Sequence, residues 1–194
     1  MRATSSCTCS GPRSGPTTIS KSFGAKPCRR ARRLVNSPED PPIRLRLLAI
    51  GKLRSGALAE LQALYAARIV PPATIVELEV HQRLPAVPLK AREAALILAA
   101  LPARARLIAL DQRGAMWSSR TLADRLAAWR DQGVAELAFA IGGADGLAAK
   151  VLDRADATLS LGSMTWPHLL VRSLLLEQIY RAQQIRVGHP YHRE

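Results

Sequence analysis

Residues 135–146 read AELAFAIGGADG. The first seven positions hold a single polar residue, Glu136, in an otherwise apolar run. Strands covered by helices on both sides need no polar face, so this short continuous run predicts a buried strand over 135–143. Glycines at 142, 143 and 146 then predict a turn whose backbone approaches a neighbour or ligand closely and adopts φ > 0. A short helix, GLAAKVLDRA, follows. The spacing is neither GxGxxG nor a Walker loop, so no dinucleotide or nucleoside-triphosphate site is indicated. By itself it fits a plain tight turn just as well.

The same alternation extends in both directions. Upstream, IRLRLLAIG (43–51) is a largely apolar run ending in glycine, hence a strand. SGALAELQALYAARI (55–69) predicts a helix, with Ser55 as N-cap and Leu58, Leu61, Leu64, Tyr65 and Ile69 on one face. PPATIVELEV (71–80) opens on a proline pair that ends the helix and then alternates as a strand. PLKAREAALILAAL (88–101) is a second helix with Pro88 near its start, and ARLIALD (105–111) a buried strand. SSRTLADRLAAWRDQG (118–133) is a helix with Ser118 or Ser119 as cap and Gly133 as its stop. Downstream, ATLSLGS (157–163) is a fifth strand and PHLLVRSLLLEQIYRAQQIR (167–186) a long last helix. Strands alternating with helices predict an α/β domain, a mostly parallel sheet covered by helices. Such sheets bind ligands beyond the carboxyl ends of their strands. The loops to inspect are therefore ALDQRG, IGGADG and LGSMTWPH.

Composition narrows the function classes. The chain has 194 residues and a formal net charge of +13. Residues 1–42 carry eight Lys/Arg and two acids (8 − 2 = +6), residues 43–194 twenty and thirteen (20 − 13 = +7). A basic domain attracts polyanions, nucleic acid first, although a solvated basic surface has the same composition. Cys7, Cys9 and Cys28 all lie in the first segment, which excludes a disulfide framework or a Cys-ligated zinc in the domain. No apolar run reaches a membrane-spanning length of about 18 residues. Residues 1–42, rich in Ser, Thr, Pro, Gly and Arg, are expected to be a disordered basic extension. It reads as a misassigned start site, an organelle transit segment or an RNA-binding tail, the first being favoured.

Each remaining motif has a plain reading beside a chemical one. Asp111 at a strand end could receive a ligand hydroxyl or cap its own turn. LGSMTWPHLLVR (161–172) could be an ordinary helix start with Trp166 in the core, or a loop that places His168 among unpaired backbone N–H groups. Arg172 and Arg181, nine residues apart, project from different faces of the last helix. The terminal HPYHRE (189–194) could be a polar chain end. It could also be a set of groups for RNA, with Tyr and His stacking on an unpaired base and Arg gripping phosphate. No carboxylate or cysteine cluster supports a metal there.

Taken together, IGGADG, LGSMTWPHLLVR, LLLEQIYRAQQI and HPYHRE, in this order and spacing, closely resemble the RlmH family. Those are SPOUT-class methyltransferases that modify N3 of a pseudouridine in large-subunit (23S) ribosomal RNA. The resemblance covers residues 43–194. It implies a C-terminal trefoil knot, a cytoplasmic homodimer (an organelle, were residues 1–42 a transit segment), and S-adenosylmethionine held by the knotted loops. On this chain the cofactor contacts would fall at Leu110, Gly142, Leu161, Gly162, Ser163, Met164, Thr165 and Trp166, with Gly143 and Gly146 as neighbours. Ala144 and Asp145 depart from the family's usual GGPEG, and Trp166 stands where a smaller apolar residue is common. His168, Tyr191, His192 and Arg193 would form the catalytic set. Arg172, Arg181 and His189 are expected to hold RNA or shape the interface. The tail would lie over the cofactor site, at the dimer interface. The rivals are a knotted RNA methyltransferase with another target, a non-enzymatic ribosome-associated RNA-binding protein, and a small-molecule α/β enzyme.

Overall fold

The structure, a computed structural model, describes residues 42–191. The expected basic extension, apart from Pro42, and the expected catalytic residues His192 and Arg193 lie outside the described residues. Five strands and five helices alternate: β1 (Arg44–Ile50), α1 (Ala57–Arg68), β2 (Thr74–Leu78), α2 (Ala86–Ala100), β3 (Arg106–Met116), α3 (Ser119–Asp131), β4 (Glu136–Ile141), α4 (Ala149–Arg154), β5 (Ala157–Ser160) and α5 (His168–Val187). The strands form one sheet in the order β2-β1-β4-β3-β5, every pair parallel.

Both faces of the sheet are covered. Leu45, Leu47 and Ala49 of β1 face one core, which α3 and α5 close with Leu122, Leu126, Trp129, Leu175, Leu176 and Ile179. Leu48 and Ile50 face the other, closed by Ala94 and Ile97 of α2 and Val151 of α4. Strand side chains alternate between faces, so a strand with both faces buried becomes the continuous apolar run seen in the sequence. Phe139, 1 % exposed, sits at the centre of the first core.

Local signals placed several ends well. Ser118 Oγ accepts a hydrogen bond from Thr121 N at 3.0 Å and caps α3. Gly133, at φ 76, closes the other end of the helix, its N–H donating to Arg130 O. Replacing Ser118 by Ala is expected to cost about 1 kcal/mol in urea unfolding, because one helix-end N–H loses its acceptor.

Other ends differ from expectation. Ser55 does not cap α1; Gly56 occupies that position with no side-chain bond. Leu64 is 45 % exposed, off the face that Ile69 buries. Pro167 is the N-cap residue of α5, one position before the first turn. The largest difference is in β3, which was expected to end at 111 and runs to Met116. The reason lies across the sheet: Leu110 and Ala115 both pair with Leu159, so the chain bulges out between them and rejoins β5 at Met116. Gly114 lies in this bulge, where a Cβ would stand 2.8 Å from the Leu159 backbone. No described helix is long and apolar enough to cross a membrane.

Candidate functional site

In a parallel sheet all carboxyl ends lie at one edge. The bulge within β3 and the loops after β4 and β5 meet there around a cavity of about 560 Å³. Leu110, Gly142, Gly143, Leu161, Gly162, Met164, Thr165, Trp166 and His168 all line it, and Ser163 does not. Trp166 is 39 % exposed, at the rim and not in the core. Leu159, Leu161 and Val171 supply apolar wall, while Ser160, Thr165 and Asp145 supply polar atoms. That mixture and size suit a small organic ligand.

The glycines of IGGADG serve different ends. Only Gly146 takes a left-handed conformation, at φ +74. Gly142 is required by space, since a Cβ there would lie 2.7 Å from Gly146 C and 2.9 Å from Leu147 N. Gly143 faces Glu93 of α2, whose Oε1 would lie 2.9 Å from an added Cβ. Burial in the first place, then the nearby Asp145, raises the Glu93 carboxyl above its ordinary range. Gly142→Ala is therefore expected to open the loop at a cost of about 1–3 kcal/mol. Urea unfolding and calorimetry with the ligand would measure it.

Asp111 takes the local role. Its Oδ1 accepts from Arg113 N at 2.9 Å and Arg113 Nε at 3.1 Å. The side-chain bond from Arg113 holds the Asp111 carboxyl below its usual range. Lys90, one helical turn before Glu93, also lines the cavity. Sequence reasoning missed both Lys90 and Glu93. Their i, i+3 spacing in KARE was legible, but nothing local says that this face of α2 meets the glycine loop.

His168 opens α5 and lines the cavity, with Arg172 one turn further on. Gly51, at φ +92 after β1, packs against both, and a Cβ there would be 3.5 Å from His168 Nε2 and 3.6 Å from Arg172 Nη2. Arg172 is fully buried. Its Nη2 donates to Ile50 O and Gly51 O, each at 2.8 Å, and its Nη1 to Glu77 Oε1 at 2.9 Å. The expected RNA-binding role of Arg172 is thus corrected: with no exposed surface, it ties α5 to the ends of β1 and β2. Burial first, and the Arg172 charge second, lower the His168 pKa, which favours the neutral imidazole.

His189 and Tyr191 do not line this cavity. α5 starts at the cavity edge and runs back antiparallel to the strands, so its 20 residues end about 30 Å away. There Gln183 bonds both the N–H and the C=O of Val70. Gly188 closes the helix in the left-handed region, and Tyr191 turns back onto it. The Tyr191 hydroxyl donates to Glu177 Oε1 at 3.1 Å, and its ring meets Tyr180 edge-on at 4.9 Å. Arg181 pairs with the same Glu177 and lies over the Tyr191 ring at 4.9 Å. A hydrogen bond with Tyr65, then burial, keeps the Tyr191 hydroxyl protonated. His189 Nδ1 accepts from Tyr191 N. Arg181, Tyr191 and His189 are therefore gathered along the later half of α5, away from the helix start that lines the cavity. Among the described residues no group of three His, Cys, Asp or Glu could hold a metal.

Known proteins place this architecture. The family model described as a SPOUT methyltransferase matches residues 43–192. A ribosomal RNA large subunit methyltransferase H of Rhodospirillum centenum is 54 % identical over 151 residues, 78 % of this chain and 99 % of that protein. The protein of the same description from Paramagnetospirillum magneticum is 49 % identical over 151 residues, with the same coverage of both chains. One from Acidiphilium cryptum is 50 % identical over 153 residues, 79 % of this chain and 96 % of that one. With a parallel five-stranded sheet, a cavity built from its carboxyl-end loops and this degree of identity, the chain belongs to the SPOUT methyltransferase family, among the large-subunit ribosomal RNA methyltransferases H.

Proposed function

We propose that the protein transfers a methyl group from S-adenosylmethionine to N3 of a pseudouridine in large-subunit ribosomal RNA, on assembled ribosomes in the cytoplasm. The observation that carries this reading is the cavity with His168 at its rim, in a chain about half identical to relatives described as ribosomal RNA methyltransferases. The residues present fit the cofactor: a volume of about 560 Å³ with apolar walls and the closely packed backbone at Gly142. Leu110, Gly142, Leu161, Gly162, Met164, Thr165 and Trp166 would hold it, with Gly143 alongside. When bound, it supplies a methyl on a sulfonium centre, open to in-line displacement by a ring nitrogen.

The chain's own task is to make that nitrogen nucleophilic and hold it still. N3 carries a proton that must leave. His168, whose neutral form is favoured, is the imidazole at the cavity that would accept it. Arg193 then favours the resulting anion by its charge, His192 assists, and Tyr191 stacks on or orients the base. These tail groups belong to a second copy. Their support is that Tyr191 packs on Glu177 and Tyr180 of α5 and does not line its own cavity, together with exposed Met116, Met164 and Trp166 near the cavity mouth, an apolar surface suited to a partner. The trefoil knot belongs to the same reading. Its support is the tight passage of the bulge in β3 against β5 at Gly114.

The test is transfer of labelled methyl to ribosomes lacking the modification. Label at a pseudouridine of large-subunit RNA is expected; label elsewhere moves the target, and none removes the activity. A pH profile adds an independent check. The His168 pKa lies below the ordinary 6.5, so the acidic fall in kcat/KM is expected below that value. A fall centred above it would remove His168 as proton acceptor.

A further inference from the structure

The proposal concerns the cations of the cavity edge and rests on the ribosomal RNA reading. Loops after β1 and β2 open at the same sheet edge as the cavity, as does the start of α2. Lys52 and Arg54 follow β1, Arg83 follows β2, and Lys90 lies early in α2. Lys52, Arg54 and Arg83 are exposed, and among the described residues none has a carboxylate partner. The Lys52–Arg54 loop is also held in place. Leu53 N donates to Glu77 Oε1 at 2.8 Å, and Gly51 packs on His168. Lys52 and Arg54 therefore flank the residue proposed to take the proton, while Lys90 lines the cavity itself.

The other sheet edge is different. Arg44 and Arg46 pair with Glu136, and Arg154 with Asp156. Arg106 bonds Gln132 and lies over Trp129, and Arg68 lies over Tyr65 and Tyr180. Carboxylates of the cavity edge are largely spent: Glu77 on Arg172, Asp111 on Arg113, and Glu93 is buried. Asp145 remains, and Glu79 lies 4.0 Å from His81. Partnered cations thus predominate at the other sheet edge, where Arg104 is the exception, while Lys52, Arg54 and Arg83 cluster at the cavity edge. Among the described residues no aromatic ring lies under Lys52, Arg54 or Arg83, so they suit phosphate more than stacked bases.

We infer that Lys52, Arg54 and Arg83 form the docking surface for the phosphate backbone of ribosomal RNA flanking the target nucleotide, with Lys90 at its inner margin. The surface positions the nucleotide by its backbone and carries no chemistry of its own.

The test compares the full-length protein with a Lys52→Ala, Arg54→Ala, Arg83→Ala triple variant and, from the opposite edge, Arg104→Ala. Ribosome affinity is measured over a range of salt, alongside methyl transfer, S-adenosylmethionine affinity and urea unfolding. The triple variant is expected to bind ribosomes on the order of tenfold or more weakly, with a salt slope lower by roughly one per cation removed. Its cofactor affinity, its kcat at saturating ribosomes and its unfolding midpoint should be unchanged, and Arg104→Ala should match the unaltered protein. An unchanged slope and affinity in the triple variant would overturn the proposal. So would a loss seen with ribosomes but absent with protein-free ribosomal RNA, which would assign the surface to an acidic ribosomal protein. If the unaltered protein binds ribosomes without methylating them and the triple variant loses the slope, the enzymatic reading falls and the surface stands.

Discussion

Co-expression of a His168→Ala chain with an Arg193→Ala chain is expected to restore activity that neither has alone. Each single variant should lose on the order of 10²–10⁴ in turnover, the usual worth of a positioned proton acceptor or its charged partner. His168 lines the cavity, whereas Tyr191 is held further along α5 by Glu177, Tyr180 and Arg181. In a two-fold dimer with composite sites, random pairing gives half mixed dimers, each with one intact site and one doubly altered, so about a quarter of the sites recover. Cofactor affinity should stay near that of the unaltered protein for Arg193→Ala. No recovery on mixing would mean that each chain completes its own site, and loss of cofactor binding would make the tail structural.

Removing Arg172 should have the largest effect on stability. Arg172→Ala leaves the carbonyls of Ile50 and Gly51 without their donor and breaks the ion pair with Glu77. Breaking a buried charged network in this way costs about 3–5 kcal/mol, read as a lower urea midpoint. Arg172→Lys should recover only part, because one ammonium cannot reproduce a planar fork bonded to three acceptors. The variant also changes the pH response. His168 has a folded pKa below its unfolded value, so its contribution to stability is present above 6.5 and is lost as the pH falls through the folded pKa. Without the Arg172 charge the folded pKa moves up toward 6.5, and the acidic fall in activity moves up with it. An unaltered profile would show that burial alone sets this imidazole.

Much of this was legible before the structure. The order of ten elements followed from apolar runs and from Gly, Pro and Ser at their ends, as Ser118 and Gly133 illustrate for α3. The three loops that line the cavity were legible because a parallel sheet gathers its carboxyl ends at one edge. The resemblance carried by IGGADG, LGSMTWPHLLVR and HPYHRE pointed to the family that the relatives share. Arg172 was misread, since a lone arginine on an apolar helix looks the same whether it meets solvent or two carbonyls. Glu93 passed unnoticed for a similar reason: an acid in the second turn of a helix normally faces water.

The sequence by itself therefore determined the layers, the order of the strands along the chain and the loops of the site, all of which depend on neighbours a few residues apart. Only the tertiary structure decided that Arg172 reaches Ile50 and Glu77, 122 and 95 residues away, and that Glu93 fills the space a side chain at Gly143 would need. It also decided that Tyr191 turns back onto α5 at Glu177 and Tyr180. Such contacts arise when helices pack across a sheet whose spatial order, β2-β1-β4-β3-β5, is not the order of the chain. Local periodicity marks which face of a helix is buried; the packed sheet determines what that face touches.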